Sequence, residues 1–136
     1  MDGQEHRSPA RLVVIDDDTA FLELMRDLLE DEGHFEVLIH REWDNAYEFV
    51  KERRPDLVIL DIRIGGEECG WTILDLLTLD PVTRPTPVIV CSAAIQSLHE
   101  HQPWLDKFGI KAVPKPFDLD VLLDMVNDAL AAKQRG

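Results

Sequence analysis

The stretch LVVIDDDT, residues 12–19, joins four apolar residues directly to three consecutive aspartates. The apolar run does not alternate with polar residues, which is typical of a strand buried on both faces of a parallel sheet. Carboxylates this close repel one another, so they need a cation or a hydrogen-bonding role. One aspartate can cap a following helix. The other two require either a positive partner or screening by water, and the rest of the chain has to distinguish these.

The rest of the chain repeats this arrangement of a short apolar run followed by helical periodicity. Strands are predicted at residues 12–15, 35–39, 56–61, 87–92 and 111–113. Helices are predicted from apolar stripes on Phe21, Leu24, Met25, Leu28 and Leu29, on Trp43, Ala46, Tyr47 and Val50, over residues 71–80, and on Leu119, Leu122, Leu123, Val126 and Leu130.

Three residues mark helix boundaries in this pattern. Gly33 is predicted to end the first helix, and Asp118 is predicted to cap the last one. Pro103 cannot occupy the interior of a regular helix, so the fourth helix is expected to be short, to be kinked or to begin there. Five strand–helix units predict an α/β fold, a doubly wound five-stranded parallel sheet of order 2-1-3-4-5.

Composition restricts the function. The 136 residues include 27 acidic and 14 basic side chains, for a formal net charge of -13. This charge would repel both nucleic acid and an anionic membrane surface, so neither is expected as a partner. Two cysteines without a C-x-x-C pair, and no apolar run long enough to span a bilayer, predict a cytoplasmic protein.

Polar residues follow the predicted strands at their carboxyl ends. They are Asp16 and Asp17 after the first strand, Asp61 after the third, Ser92 at the end of the fourth and Lys115 after the fifth. Because these strands are neighbours in the predicted sheet, their ends form one rim where ligands bind in this fold class. Carboxylates without histidine or cysteine ligands suit Mg²⁺. The sequence therefore predicts a magnesium site at this rim.

Four motifs in this order resemble the receiver domain of bacterial two-component response regulators, in the chemotaxis-regulator-like superfamily. They are VVIDDD (residues 13–18), DLVILDI (56–62), PVIVCSA (87–93) and PKPF (114–117). The resemblance extends over residues 11–133 and implies a flavodoxin-like three-layer (βα)5 fold. Residues 1–10 are then expected to be a disordered tail, and residues 134–136 a short C-terminal tail.

The resemblance also implies a role for each rim residue. Asp61 would be the phosphoacceptor, and Asp16, Asp17, Asp61 and the backbone carbonyl of Arg63 would hold Mg²⁺. Ser92 and Lys115 would each contact a phosphoryl oxygen. The bond between Lys115 and Pro116 is expected to be cis, as it usually is in the family. The protein would be a phosphoacceptor signalling domain rather than an enzyme.

Two departures from the family bear on the mechanism. The loop RIGGEECG, residues 63–70, lacks the usual proline and is one residue longer, and its glycines suggest a flexible turn. Ala112 stands where the family often has an aromatic residue that swings inward on activation. The signal is therefore expected to leave through the loop at residues 92–97 and the segment around Pro103 and Trp104.

Two other functions are compatible with parts of the pattern. Asp16 and Asp18 have the D-x-D spacing of haloacid-dehalogenase-type phosphohydrolases, in which Asp16 would be the nucleophile, but Ala20 stands at the final Thr or Val position. A phosphorylation-independent binding domain is the other alternative. His99 and His101 are interpreted as solvated helix residues, Cys69 as a loop thiol and Cys91 as a core residue.

The expected partners are a sensor histidine kinase or phosphotransfer protein upstream and an unidentified protein downstream. The sequence identifies neither of them, and it does not indicate whether an output domain follows. It also leaves the oligomeric state open, with a homodimer among the alternatives.

Overall fold

The computed structural model describes residues 9–135, which form a parallel sheet of order β2-β1-β3-β4-β5 covered by helices. This confirms the predicted fold class. The elements in chain order are β1 (Arg11–Ile15), α1 (Thr19–Asp31), β2 (Glu36–His40), α2 (Ala46–Arg53), β3 (Leu57–Leu60), α3 (Gly70–Leu79), β4 (Val88–Ser92), α4 (Ile95–Glu100), α5 (Gln102–Lys107), β5 (Lys111–Pro114) and α6 (Leu119–Arg135).

The central strands are buried on both faces, as their continuous apolar sequences predict. All residues of β3 and β4 are buried. Successive side chains of β1 point to opposite faces, so Val13 and Ile15 join the core under α2 to α5, and Leu12 and Val14 join the core under α1 and α6. The two cores give the molecule its three layers.

Strand register places the polar strand ends side by side. Ile15 pairs with Leu60, so Asp16 and Asp61 are the next residues on adjacent strands. Ser92 pairs with Pro114, so Lys115 follows directly on the neighbouring strand. Because all the strands are parallel, these residues leave the sheet at the same edge.

The helix boundaries at Pro103 and Asp118 agree with those that the sequence predicts. Pro103 lies in the first turn of α5, which is separated from α4 by His101. A proline is tolerated there because the first helical N–H groups have no partner within the helix. Asp118 caps α6, and its carboxylate accepts a hydrogen bond from the backbone N–H of Asp120 at 3.0 Å.

Two residues of the predicted apolar stripes are exposed, and those predictions are wrong. Leu24 is 50% exposed, because the buried face of α1 consists of Leu22, Met25 and Leu29. Trp43 is also 50% exposed, because α2 begins only at Ala46, after a turn in which Asn45 has a φ of 61°.

The end of α1 differs from the prediction in its details. The helix ends at Asp31, but the residue with a left-handed backbone is His34, with a φ of 58°. Gly33 is required for another reason, since a Cβ atom there would lie 2.5 Å from the Phe35 ring.

The predicted tails are described only in part. Residues 1–8 of the N-terminal tail lie outside the described residues, and the carbonyl of Ala10 already accepts a hydrogen bond from Glu36 at 2.9 Å. The last helix continues to Arg135, so it includes two residues of the predicted C-terminal tail, and Gly136 is outside the described residues. Between residues 9 and 135, no helix combines the length and apolar content that crossing a membrane requires.

Candidate functional site

The carboxyl edge of the sheet brings together the side chains of Asp16, Asp17, Asp61 and Lys115, and Ser92 ends the adjacent strand β4. One carboxylate oxygen each from Asp16, Asp17 and Asp61 lies within 4.8 Å of the other two. Lys115 reaches Asp16 and Asp61 with its ammonium, and its backbone N–H donates to the carbonyl of Ser92 at 2.9 Å. The site is therefore a compact cluster of three carboxylates and one ammonium, with Ser92 at the neighbouring strand end.

Lys115 is a positive partner of the aspartate cluster. Its Nζ lies 2.5 Å from Asp16 Oδ2 and 3.2 Å from Asp61 Oδ2. Burial lowers the pKa of Lys115, but the hydrogen bond and charge of Asp16 and the charge of Asp61 outweigh it, so the pKa lies above its ordinary value. The ammonium also lies 4.0 Å from the centroid of the Phe21 ring. Lys115 thus remains charged while it is half-buried.

Asp16 is the most deeply buried of the three carboxylates. It is 1% exposed, and this burial raises its pKa to about 6, although the hydrogen bonds from Lys115 and from the Asp18 N–H favour the charged form. The nearby charge of Asp61 also raises the pKa. Asp16 is therefore held by hydrogen bonds in a position where a negative charge is costly.

Asp61 and Asp17 are tied to the loop that follows β3. Asp61 is 7% exposed, and its Oδ1 accepts a hydrogen bond from the backbone N–H of Arg63 at 3.1 Å. Asp17 is exposed, and its Oδ2 accepts a hydrogen bond from the backbone N–H of Gly65 at 2.8 Å. The loop therefore links two of the three carboxylates through its own backbone.

The β3–α3 loop, for which the sequence predicts a flexible turn, contains a closed turn. Ile64 and Glu67 exchange backbone hydrogen bonds of 2.8 and 3.2 Å across Gly65 and Gly66. Both glycines have positive φ values, 65° and 82°. Two successive residues with positive φ are characteristic of the tightest hairpin turns, which favour glycine.

Gly70, at the start of α3, is a supporting residue that the sequence analysis missed. Its N–H donates to the carbonyl of Ile62 at 2.8 Å, and a Cβ atom there would lie 2.6 Å from the carbonyl oxygen of Asp61. Helix α3 therefore packs directly on the backbone that carries Asp61. The sequence signal was weak, because Gly70 is one of three glycines in the loop RIGGEECG.

Asp18 has a separate role from its two neighbours. Its Oδ1 accepts a hydrogen bond from the Phe21 N–H at 3.1 Å, so Asp18 is the cap of α1. This accounts for the one aspartate of the triplet that a helix cap requires.

The Lys115–Pro116 peptide bond is cis, as expected. It lies directly after β5, where the chain turns from the sheet toward α6. The two cysteines are free: Cys91 is buried in the core, and Cys69 is half-buried in the β3–α3 loop. These observations agree with the sequence interpretation.

The three carboxylates fit a divalent cation with oxygen ligands. Ligand oxygens around octahedral Mg²⁺ at about 2.1 Å are roughly 3.0 to 4.2 Å apart. The three carboxylate oxygens all lie within 4.8 Å of one another, close to this range. The carbonyl of Arg63 remains a predicted ligand.

A second polar cluster connects the β3–α3 loop to α4, and the sequence analysis did not find it. The Trp71 Nε1–H donates to Ser97 Oγ at 2.8 Å, and the Ser97 hydroxyl donates to Glu68 Oε1 at 2.6 Å. Glu68 also lies 3.5 Å from the guanidinium of Arg63. The Ser97 hydrogen bond lowers the pKa of Glu68, so this carboxylate is held in its charged form.

His101 belongs to the same region and is not the solvated residue that the sequence suggested. Its ring stacks on Trp71 with centroids 3.8 Å apart, and its Nδ1 donates to the carbonyl of Ser97 at 2.8 Å. His99 is exposed, as expected. These contacts join residues far apart in sequence, so local periodicity carries no signal for them.

The comparisons with known proteins all identify the same family. The family described as response regulator receiver domain matches residues 12–127. The polar-differentiation response regulator DivK of Brucella anthropi is 32% identical over 123 residues, which cover 90% of this chain and 97% of DivK. Protein PilH of Pseudomonas aeruginosa is 28% identical, with 90% of this chain and 98% of PilH covered. The chain spans only 54% of response regulator Rre1 of Synechocystis, at 30% identity and 93% coverage of this chain.

Solved structures show the same fold. A CheY-like receiver domain protein from Methanospirillum hungatei superimposes with a TM-score of 0.79 at 25% identity, covering 94% of this chain and 98% of that one. The receiver domain of a sensor histidine kinase from Pseudomonas aeruginosa, solved with a magnesium ion in its active site cleft, gives a TM-score of 0.76 at 16% identity. It covers 91% of this chain and 99% of its own.

Proposed function

This chain belongs to the response regulator receiver domain family of two-component signalling, and we propose that it takes its phosphoryl group on Asp61. Members of this family are signalling phosphoacceptors rather than classical enzymes. The observation that carries the assignment is the position of Asp61, which directly follows β3 and lies beside the Lys115 ammonium at 3.2 Å and two further carboxylates.

The proposed reaction is a transfer to a carboxylate oxygen. An Asp61 oxygen attacks phosphorus, a P–O bond forms, and the bond from phosphorus to the donor's histidine nitrogen breaks. The attack joins two anions, so it requires positive charge near the equatorial phosphoryl oxygens. Lys115 lies within reach of Asp61 and can transfer one of its hydrogen bonds from a carboxylate to the incoming oxygens.

Asp16, Asp17, Asp61 and the Arg63 carbonyl are the proposed magnesium ligands. Their oxygens are hard donors of the kind that Mg²⁺ prefers, and the magnesium in the cleft of the Pseudomonas receiver domain supports the assignment. When bound, the metal supplies charge neutralisation at the phosphoryl oxygens. Without it, the chain's own compensation for these carboxylates comes from Lys115 and from the backbone N–H groups of Arg63 and Gly65.

Ser92 is the proposed sensor of the new phosphoryl group. Its side chain is buried, and its Oγ accepts a hydrogen bond from the Ala94 N–H at 3.1 Å. The hydroxyl proton is free to point toward a phosphoryl oxygen on the neighbouring strand end. A reorientation of Ser92 would move the start of α4, since Ala94 immediately precedes that helix.

The phosphohydrolase alternative is disfavoured by the geometry. Asp18, its second carboxylate, is engaged as the cap of α1, where its Oδ1 accepts a hydrogen bond from the Phe21 N–H. A phosphorylation-independent role would leave the cluster around Asp61 without a function.

The proposed partners are a histidine kinase or phosphotransfer protein that donates the phosphoryl group and a protein that reads the change. Ala112 has no ring to move, so the change is proposed to reach the surface through Glu68, Ser97 and Trp71. We place this signalling in the cytoplasm, without direct contact to nucleic acid or membrane.

The test is incubation with Mg²⁺ and acetyl phosphate, followed by mass mapping of the modified residue. The wild-type protein is expected to carry one acid-labile phosphoryl group on Asp61, and Asp61→Asn none. The Asp18→Asn variant is a matched control, because asparagine also caps helices and phosphorylation should persist. Modification at Asp16, or persistence of the phosphate in Asp61→Asn, would contradict the proposal.

A further inference from the structure

A cleft between α3 and the α4–α5 segment lies on a surface that the phosphoacceptor site does not use. Its volume is about 460 Å³, within the usual range for ligand pockets of roughly 300 to 1,000 Å³. Three aromatic side chains line it, namely Trp71, His101 and Trp104, together with two carboxylates, Asp75 and Glu100. We call it the aromatic cleft.

The charge of the aromatic cleft is negative and unbalanced. Among the described residues, neither Asp75 nor Glu100 forms an ion pair, and the residues lining the cleft include no lysine or arginine. Glu100 accepts one hydrogen bond, from the neutral Gln96 amide at 3.3 Å. The surrounding molecule adds to this field, since its formal net charge is -13. A cation is therefore the complementary ligand.

The aromatic rings favour a particular kind of cation. Trp71 and Trp104 are only half-buried, and tryptophan is the best aromatic partner for a cation above its ring. A planar guanidinium can stack on an indole and donate paired hydrogen bonds to a carboxylate, whereas an ammonium is a compact point charge. The His101 ring already covers one face of Trp71, so an arginine side chain in the cleft can stack on Trp104, with Asp75 and Glu100 lining the same cleft.

The helices that line the cleft also carry exposed apolar side chains. Leu76 and Leu79 on α3 are 41% and 64% exposed, Ile95 on α4 is 52% exposed, and Phe108 directly after α5 is 44% exposed. Phe108 packs on Trp104 with ring centroids 4.8 Å apart, and Leu76 follows Asp75 in α3, so these two residues offer contact surface for apolar neighbours of an arginine. Tryptophan and arginine are the residues most often found to dominate binding energy at protein interfaces.

We propose that the aromatic cleft binds an arginine flanked by apolar residues on a partner protein. Its role in signalling rests on the proposed function, because Trp71, which lines the cleft, is joined through Ser97 and Glu68 to the loop that contains Arg63. The binding itself does not require phosphorylation, so it can be tested separately.

The test uses the full chain without phosphorylation and the peptide acetyl-Gly-Leu-Arg-Leu-Gly-amide. Binding is followed by NMR of the tryptophan indole N–H groups. The Trp71 and Trp104 signals are expected to shift and saturate, while exposed Trp43, on the separate β2–α2 turn, serves as an internal control. The same peptide with citrulline in place of arginine keeps the shape without the charge and should bind at least about tenfold more weakly.

Two double variants, each of which removes two negative charges, distinguish an effect of the cleft from an effect of the overall negative charge. Asp75→Asn with Glu100→Gln should weaken peptide binding at least about fivefold. Asp27→Asn with Glu30→Gln, on the exposed face of α1, should leave it within about twofold. Equal binding of the citrulline peptide, equal weakening by both double variants, or an absence of saturable shifts at Trp71 and Trp104 would overturn the proposal.

A final experiment tests the coupling between the phosphoacceptor site and the aromatic cleft. Beryllium fluoride with Mg²⁺ should change the peptide affinity in the wild-type protein but not in Ser97→Ala. Equal changes in both would overturn the link through Ser97 while leaving the arginine site in place. If beryllium fluoride failed to bind at all, the phosphoacceptor proposal would be at fault rather than the aromatic cleft.

Discussion

At the scale of single residues, the aspartate triplet divides into three different tasks. Asp16 is buried against Lys115, Asp17 faces the loop and the proposed metal, and Asp18 caps α1. The same side chain therefore has three roles that are set only by backbone position. Adjacent, chemically matched substitutions can consequently distinguish the metal site from the helix cap.

Asp17→Asn should weaken Mg²⁺ binding by at least about tenfold, because a neutral amide replaces a charged ligand. Asp18→Asn should leave the affinity within about twofold, since the altered side chain caps a helix and does not face the metal. The measurement is a Mg²⁺ titration followed by NMR. Equal affinities in the two variants would contradict the ligand assignment.

Lys115→Ala should slow phosphorylation of Asp61 by acetyl phosphate about 10²- to 10³-fold, which is typical for loss of one electrostatic contact to a reacting group. The rate is measured at saturating Mg²⁺, so that any change in metal affinity does not contribute. A wild-type rate in this variant would show that the ammonium stabilises the resting carboxylates and takes no part in transfer.

At the scale of elements, α2 and the end of α3 are joined by one carboxylate. Asp80 accepts hydrogen bonds from the Tyr47 hydroxyl and from Lys51, at 2.9 Å for the latter, and its Oδ1 accepts another from the Val82 N–H at 2.8 Å. The Tyr47 hydrogen bond and then that of Lys51 lower the pKa of Asp80 to about 2. Asp80 therefore remains charged in the folded protein below the pH at which it protonates in the unfolded chain.

The lowered pKa of Asp80 predicts how the link between α2 and α3 depends on pH. A folded-state pKa below the unfolded value contributes stability that is complete above about pH 4 and is lost as the pH falls toward about 2. Asp80→Asn removes this contribution. The urea midpoints of wild type and variant should therefore differ at about pH 6, and the difference should shrink as the pH falls from about 4 through about 2. A difference that did not change with pH would show that Asp80 acts through packing rather than charge.

The segment from Ala93 to Phe108 is where we expect activation to be visible. Beryllium fluoride with Mg²⁺ should change hydrogen exchange there more than at β5, because α4 and α5 are short and their contacts to the loop run through Ser97. Ser97→Ala should reduce this response. Changes confined to β5 and α6 would show that the usual output face of the family operates here without its aromatic residue.

The elements also differ in how well the sequence predicts their positions and contacts. Strand ends were predictable because a polar residue after a buried apolar run, such as Asp61 after β3, has a fixed position in a parallel sheet. The network of Trp71, Ser97 and His101 was not, because it depends on how α3 and α4 pack. Trp43 was assigned wrongly because its spacing fits a helix, whereas the left-handed backbone of Asn45 delays the start of α2.

At the scale of the whole molecule, the formal net charge of -13 makes stability depend on screening. Raising NaCl from about 0.01 M to about 0.15 M shortens the Debye length from about 30 Å to about 8 Å, so the urea midpoint should rise. Mg²⁺ at equal ionic strength should raise it further in wild type, but not in Asp17→Asn. An unchanged midpoint with NaCl would show that self-repulsion is already balanced within the fold.

The fold also places its two thiols in very different surroundings. Cys69 is half-buried in the loop beside the phosphoacceptor, whereas Cys91 is 1% exposed in the middle of the sheet, and burial raises the pKa of both. An alkylating reagent should therefore label Cys69 slowly in the native protein and reach Cys91 only when the strands separate. The rate of labelling at Cys69 therefore reports the accessibility of the loop, and the rate at Cys91 reports how often the entire sheet opens.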